Sequence, residues 1–402
     1  MIKHIADYYD VVIIGGGPAG AVTARYAAEN GASVLILERD REVGIPVRCA
    51  EGVSHAGIEP FINIDEKWIS TVIKGASLHA PDGNYVEMYN NGLGYVLERR
   101  VFDRALIDLA CSKGAVMLTK ADALSLQRDA DKQINGVYFN HLNQLHTVKC
   151  KIVIGADGVE SQVGKWAGID TTLALDDIDT CVQYTVNNIK INPDLCRFYF
   201  GNQVSPGGYL WIFPKSNQSA NIGIGVGGSD TLPGKGPKYY LDQFMEKNYP
   251  NASVNYMVCG GVPTSNGTGF VTDHVMLVGD AARQVNPITG GGIVQAMIAG
   301  RLCGETCAKA LKSGDFSRKN LSEYEKRWDK TLGANQRFMY SVKNVFMKMD
   351  DSKFNSIVRV AKAVDPEKFT MYSLFKEALK EDPILLAKMA TSFLVSRIKF
   401  DW

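Results

Sequence analysis

The residues of this chain best placed to do chemistry are spaced as apolar strand, glycine turn and acid. The first set is the apolar run 11–14 followed by Gly15-Gly16-Gly17-Pro18-Ala19-Gly20, with Glu38 closing a second apolar run, 34–37. A buried strand entering such a turn uses Gly15 for its backbone angles and Gly17 to let a pyrophosphate approach the main chain. Gly20 then lets the next helix pack close to the strand. A helix opening at Pro18 turns bare N–H groups and the positive end of its dipole toward phosphate. Glu38 falls at a strand end, where a carboxylate can take ribose hydroxyls. A dinucleotide is the expected ligand, against the plainer alternative of a glycine turn that binds nothing.

Two later sets decide which dinucleotide. Ile154-Gly155-Ala156-Asp157-Gly158 and Val278-Gly279-Asp280-Ala281-Ala282 each end an apolar run with an acid, as though further strands returned to the same carboxyl edge. After the second, Gly290-Gly291-Gly292-Ile293 opens a long helix. Its N-terminus can set N–H groups against a flavin ring and favour the negative charge of reduced flavin. The three sets together predict FAD in an extended conformation. Its expected contacts are Gly15, Gly17, Ala19, Gly20, Glu38, Asp157, Asp280, Gly291, Gly292 and Ile293. No second G-x-G-x-x-G unit exists for a dedicated NAD(P)H domain, so the reductant is either NAD(P)H visiting the flavin or a small electron carrier such as a ferredoxin.

Tyr209, Trp211 and Phe213 alternate, so a strand would present all three on one face. Such a face is either plain sheet core or an aromatic wall suited to an apolar chain. Cys49, in the run Arg48-Cys49-Ala50-Glu51-Gly52, offers either a small side chain beside the cofactor or a thiol for proton transfer or redox work.

These motifs, with Glu98-Arg99-Arg100-Val101-Phe102-Asp103-Arg104 before a helix, resemble the p-hydroxybenzoate-hydroxylase-like flavoproteins. Within that group the chain resembles the geranylgeranyl reductases, and in particular the archaeal digeranylgeranylglycerophospholipid reductases. Arg48-Cys49-Ala50-Glu51-Gly52 and Pro206-Gly207-Gly208-Tyr209-Leu210-Trp211-Ile212-Phe213-Pro214 carry the narrower likeness, which spans about residues 8–310. The resemblance implies reduction of isolated double bonds in the geranylgeranyl chains of an archaeal glycerolipid. It adds Arg39, Cys49, Ala50, Gly52, Arg100 and Ala123 to the FAD contacts and makes Tyr209, Trp211 and Phe213 the substrate face. Cys49, Tyr209 or an ordered water is then the proton donor. The rival within the fold is an FAD monooxygenase; a halogenase's W-x-W-x-I-P is only partly echoed by Tyr209-x-Trp211-x-Phe213-Pro214.

The positioning elements follow. The expected class is α/β: a Rossmann-like FAD domain (1–75, 96–168, 271–312), an inserted antiparallel substrate sheet (76–95, 169–270) and a C-terminal helical segment (313–402). The sheet is expected from short β-rich runs at 181–186, 197–200, 209–214 and 220–226, and a hairpin from 134 to 151. With 402 residues, 46% of them apolar, the chain can bury a large core. Its 44 basic and 43 acidic side chains give a net charge of +1, which argues against nucleic acid as a partner. No apolar leader or spanning stretch is read, and the eight cysteines show no disulfide framework or metal-ligand spacing. A cytoplasmic protein is expected. The last 88 residues carry 17 Lys and Arg against 12 Asp and Glu, so these helices either cap the substrate cavity or rest on the inner face of the cell membrane.

Overall fold

The computed structural model describes residues 6–267 and 269–363, folded around two sheets. In chain order the strands are β1 (Tyr8–Ile14), β2 (Val34–Leu37), β3 (Gly52–Ser54), β4 (Ile69–His79), β5 (Tyr85–Leu97), β6 (Val116–Leu118), β7 (Ala121–Arg128), β8 (Ile134–His141) and β9 (Gln144–Gly155). They continue as β10 (Asp179–Asn187), β11 (Leu195–Tyr199), β12 (Tyr209–Pro214), β13 (Ser219–Gly227), β14 (Ser253–Val262), β15 (Val271–Thr272) and β16 (Val275–Leu277). The chain divides into two units. Among the described residues, the first holds those of Met1–Val47, Arg99–Thr172 and Ser265–Gln336, and the second those of Arg48–Glu98, Leu173–Thr264 and from Arg337 to 363.

In the first unit β1, β2, β9 and β16 are apolar at successive positions, which only a sheet covered on both faces can accommodate. Val11, Val12, Ile13, Leu35, Ile36, Ile152 and Val153 are all fully buried. The strand order is β15-β16-β9-β1-β2-β6, and β7 and β8 extend β9 as an antiparallel meander. Pairing is parallel from β16 through β6, and its register is what matters for function. Ile14 lies level with Leu37 and Gly155, and Gly155 with Leu277. All three acid-bearing turns therefore leave one edge of the sheet side by side.

Two helices, Pro18–Glu29 and Ile293–Ser313, run side by side in the same direction. Small residues make this possible. A Cβ on Gly300 would come within 2.8 Å of the Ala19 carbonyl oxygen, and one on Gly304 within 2.6 Å of that of Thr23. Both helix N-termini are thereby held at the carboxyl edge.

In the second unit the order is β14-β10-β13-β12-β11-β4-β5-β3. It is antiparallel except where β4 meets β11, since β4 arrives on a separate excursion of the chain. One face is ordinary core: Val182, Tyr184, Leu210, Ile212, Ile222 and Ile224 pack with Tyr240, Leu241 and Met245 of the helix Pro237–Asn248. The opposite face carries the aromatic stripe.

Two features of the expected layout differ. Residues 48–75 were expected with the cofactor domain, but β3 and β4 pair into the second sheet and take them there. The C-terminal helices do not form a third body among the described residues. Those up to Gln336 join the first unit, while the later ones join the second, where Phe354 stacks on Phe200 and Phe346 meets it edge-on, each with its ring centroid 5.8 Å away. The helix expected at 383–398 lies outside the described residues.

Gly20 is the tightest point of the first turn, since a Cβ there would lie 2.0 Å from the Gly15 carbonyl oxygen. Gly20→Ala is expected to cost about 1–3 kcal/mol. A lowered urea midpoint at unchanged slope would show it.

Candidate functional site

The carboxyl edge of the first sheet is built on main-chain closeness. Gly15 has φ +107°, and a Cβ on it would sit 2.2 Å from the Ala156 carbonyl oxygen. No L side chain fits that conformation and that neighbour together. The turn is tied to both adjacent strands, the Gly15 N–H donating to Leu37 at 2.8 Å and the Ala156 N–H to Ile14 at 2.8 Å. Gly17, by contrast, caps the helix at Pro18, and a Cβ on it would meet no protein atom within 4 Å. Only Gly17 of this turn can gain a side chain without touching the fold, which is the property expected of a glycine kept bare for a ligand. A bare helix N-terminus, a glycine cradle and a nearby acid form a donor set that fits the pyrophosphate and ribose of FAD.

The acids are held, not loose. Glu38 accepts from the N–H of Gly16 and of Asp40, each at 2.8 Å, and burial raises its pKa in spite of them. Asp157 accepts from the Ser161 hydroxyl and the Val163 N–H at 3.0 Å, capping the short helix Gln162–Ala167. Burial raises its pKa too. Its visible work is thus local. Asp280 is pushed up to about 6 by burial, partly offset by the nearby Arg99 guanidinium, which itself forks onto Asp103 at 2.6 and 2.7 Å. A Cβ on Gly292 would lie 3.4 Å from a carboxylate oxygen of Asp280, so the third acid and the N-terminus of the helix opening at Ile293 are neighbours.

The remaining expected cofactor contacts fall into two groups. Ala19, at the head of its helix, sits beside Gly279, where a Cβ would come 2.8 Å from its own. Arg39 and Arg100 are exposed, and Gly44 brings their segments together by packing on Arg99 and Arg100. Ala123 is on β7, whose first residue donates to the Glu38 carbonyl. Cys49, Ala50 and Gly52, however, belong to the second unit. A Cβ on Gly52 would lie 2.4 Å from the Phe213 ring, so this glycine admits that aromatic side chain.

On the second sheet Tyr209, Trp211 and Phe213 do share a face, with the Tyr209 and Trp211 rings 5.8 Å apart, edge to face. Phe198 packs edge-on to Tyr209 and Phe213. Beneath them runs β13, where Gly223 faces Trp211 and Gly225 faces Tyr209. A Cβ on Gly223 would be 2.4 Å from the indole, so Trp211 lies over a strand stripped of side chains. Tyr209 and Cys181 stand across Gly225 from each other. Burial raises the Tyr209 pKa, and Cys181, Asp179 and Cys49 raise it further.

A polar cluster under this face was not anticipated. Lys215 donates to a Glu51 carboxylate oxygen at 2.7 Å and to the Leu97 carbonyl at 2.9 Å, and Asn221 reaches the same carboxylate oxygen at 2.6 Å. The alternating glycines of Asn221-Ile222-Gly223-Ile224-Gly225 were a legible sign that something flat lies above them. The polar partners left no such sign, because they join residues more than a hundred positions apart. Among the described residues no group of three or more His, Cys, Asp or Glu could hold a metal, no disulfide joins the cysteines, and no helix is long and apolar enough to cross a membrane.

Two outcomes are expected. Gly17→Ala should leave thermal stability unchanged and weaken FAD binding at least tenfold, measured by flavin fluorescence on titration; weakened folding would contradict the open position. Asp280 binds its proton more tightly folded than unfolded, so its contribution to stability is present at low pH and is lost as pH rises from about 4 through 6. In flavin-free protein, Asp280→Asn should therefore melt near the parent below pH 4 and above it at pH 7–8. A gap independent of pH would contradict this.

Residues 177–262 match the geranylgeranyl reductase catalytic domain, and residues 10–200 match the FAD-dependent oxidoreductases. The digeranylgeranylglycerophospholipid reductase of Methanosarcina acetivorans is 44% identical, covering 96% of this chain and 97% of its own; that of Methanothrix thermoacetophila is 43% identical over 94% and 97%. A crystal structure of a geranylgeranyl bacteriochlorophyll reductase-like protein from Thermoplasma acidophilum superposes with a TM-score of 0.91 at 33% identity, covering 96% of this chain and 99% of the other. A myxobacterial chondrochloren halogenase, at TM-score 0.67 and 17% identity over 83% and 82%, shares the fold alone. With an FAD-type edge on one unit and the reductase domain on the other, the chain belongs to the digeranylgeranylglycerophospholipid reductase family of FAD-dependent oxidoreductases.

Proposed function

We propose that this protein saturates isolated double bonds in the geranylgeranyl chains of an archaeal-type glycerophospholipid. The observation that carries the reading is the aromatic face of Tyr209, Trp211 and Phe213, with Trp211 laid over Gly223 of β13 and Phe213 over Gly52, on a chain whose other unit presents an FAD-type edge. Gly15, Gly17 and the helix opening at Pro18 would hold the pyrophosphate, and Glu38 the ribose. The helix opening at Ile293 would face the flavin ring. NAD(P)H or a small carrier such as a ferredoxin would supply the electrons.

An isolated alkene has no carbonyl to polarise it. Bound reduced FAD supplies a hydride to one alkene carbon, and a proton must reach the other. What the chain contributes is a place where positive charge at a tertiary carbon is tolerable, since the π faces of Tyr209, Trp211 and Phe213 attract a cation where water is excluded. Both side-chain candidates for the proton donor, Tyr209 and Cys49, belong to the second unit. Tyr209 holds its proton firmly, because burial disfavours its anion. The sulfur of Cys49 accepts the Glu51 N–H at 3.2 Å, which fixes the thiol's position. The helix Asp351–Ala363 is tied to the second unit through the bonds of Asn202 to Asp351 and of Asp82 to Asn355, which favours a capping role for it.

The test is anaerobic. Dithionite-reduced protein mixed with digeranylgeranylglyceryl phosphate is expected to regain its oxidised flavin band while the lipid gains two hydrogens per flavin. A flavin that stays reduced until air is admitted would instead indicate a monooxygenase.

A further inference from the structure

We infer that Gln183 is a positioning residue for this reaction, locking the Trp211 indole to the main chain that carries Cys49. Gln183 lies on β10, is buried to 5% exposure, and bonds at both ends of its amide. Its oxygen accepts from the Trp211 indole N–H at 2.9 Å, and its nitrogen donates to the Cys49 carbonyl at 2.9 Å. The indole has one polar atom, a donor, and the carbonyl is an acceptor, so the amide fits in one orientation only; flipped, it would oppose donor to donor and acceptor to acceptor. One side chain thereby sets the in-plane position of the ring and the place of the Cys49 peptide at once.

The surrounding contacts pin the Cys49 end of this link. Below the indole, Gly223 leaves room for the ring to lie flat but provides nothing to stop it sliding. The next residues after Cys49 are pinned to the same sheet, Asn221 donating to the Ala50 carbonyl at 3.4 Å and to Glu51, whose φ is +73°. Lys215 closes the pinning from β12's far end. Gln183 thus links the segment to the ring through one side chain. A polyprenyl chain presents several chemically similar double bonds, and which carbon pair is offered for reduction depends on how the chain lies on that ring. The inference rests on the reductase reading above and adds to it a residue outside every motif of the sequence.

The test uses Gln183→Met, close in shape and without the amide, in the FAD-loaded protein. FAD content and melting temperature report the fold. The Trp211 indole N–H resonance in protein labelled with nitrogen-15 tryptophan reports the bond directly. Anaerobic flavin reoxidation by digeranylgeranylglyceryl phosphate reports function. The expected result is a shifted, faster-exchanging Trp211 resonance and reoxidation slowed about tenfold or more, with FAD content retained. In a Trp211→Phe background, which already lacks the indole donor, the same substitution should slow the rate further by about twofold at most. An unchanged rate, or an equal loss in both backgrounds, overturns the proposal. If Gln183→Met does not fold, Trp211→Phe is the fallback: it removes the indole donor together with part of the ring, and a native rate there overturns the proposal. Parent protein whose flavin the lipid never reoxidises defeats the reductase reading, while the resonance still tests the Gln183 bond.

Discussion

The crossing of main chain at Gly15 and Ala156 is the constraint from which the first unit's arrangement follows. Two parallel strands, β1 and β9, end level with one another, and their turns pass so close that a methyl group between them would be 2.2 Å from a carbonyl oxygen. Glycine at position 15 is the condition for this approach. Once it is met, the Glu38 end of β2 and the Gly279 end of β16 fall into line by parallel pairing, and two helix N-termini are brought to the same edge by the glycines of the helix Ile293–Ser313. An extended dinucleotide needs several weak donors arranged over a long distance, and a parallel sheet supplies them without any one residue being strong.

The second unit solves a different problem. A sheet with one face packed on a helix is stable at little cost in sequence, and it frees the opposite face for work. Here that face combines aromatic rings, which tolerate a developing cation, with glycines that let the rings lie flat. It also buries Glu51, Asn221 and Gln183 and half-buries Lys215, each with partners. Burying an ion pair stabilises little by itself, because desolvation offsets most of the attraction. Its effect here is to fix geometry: the carboxylate of Glu51 accepts from side chains of two strands, and the segment bearing Cys49 follows it.

Much of this was legible beforehand because its signals are local. The glycine turn and the strand-end acids Glu38, Asp157 and Asp280 depend on a few consecutive residues, as does the period-two stripe at 209–213. The four runs read as strands between 181 and 226 are β10 to β13. What could not be read depends on pairing at a distance. Residues 48–75 follow the cofactor motif in sequence, yet β4 pairs with β11 some 120 residues later and carries them away. β14 and the helix Pro237–Asn248 bear no motif, and their place is set by partners far along the chain.

The claim that one chain joins an FAD edge to a surface for an isolated alkene is tested most directly by isotope. A single anaerobic turnover in deuterium oxide should place two deuterium atoms on adjacent carbons of one former double bond for each flavin oxidised, since the hydrogen on reduced flavin nitrogen exchanges with solvent. Lipid recovered without deuterium, or carrying an oxygen atom after air is admitted, would contradict the account.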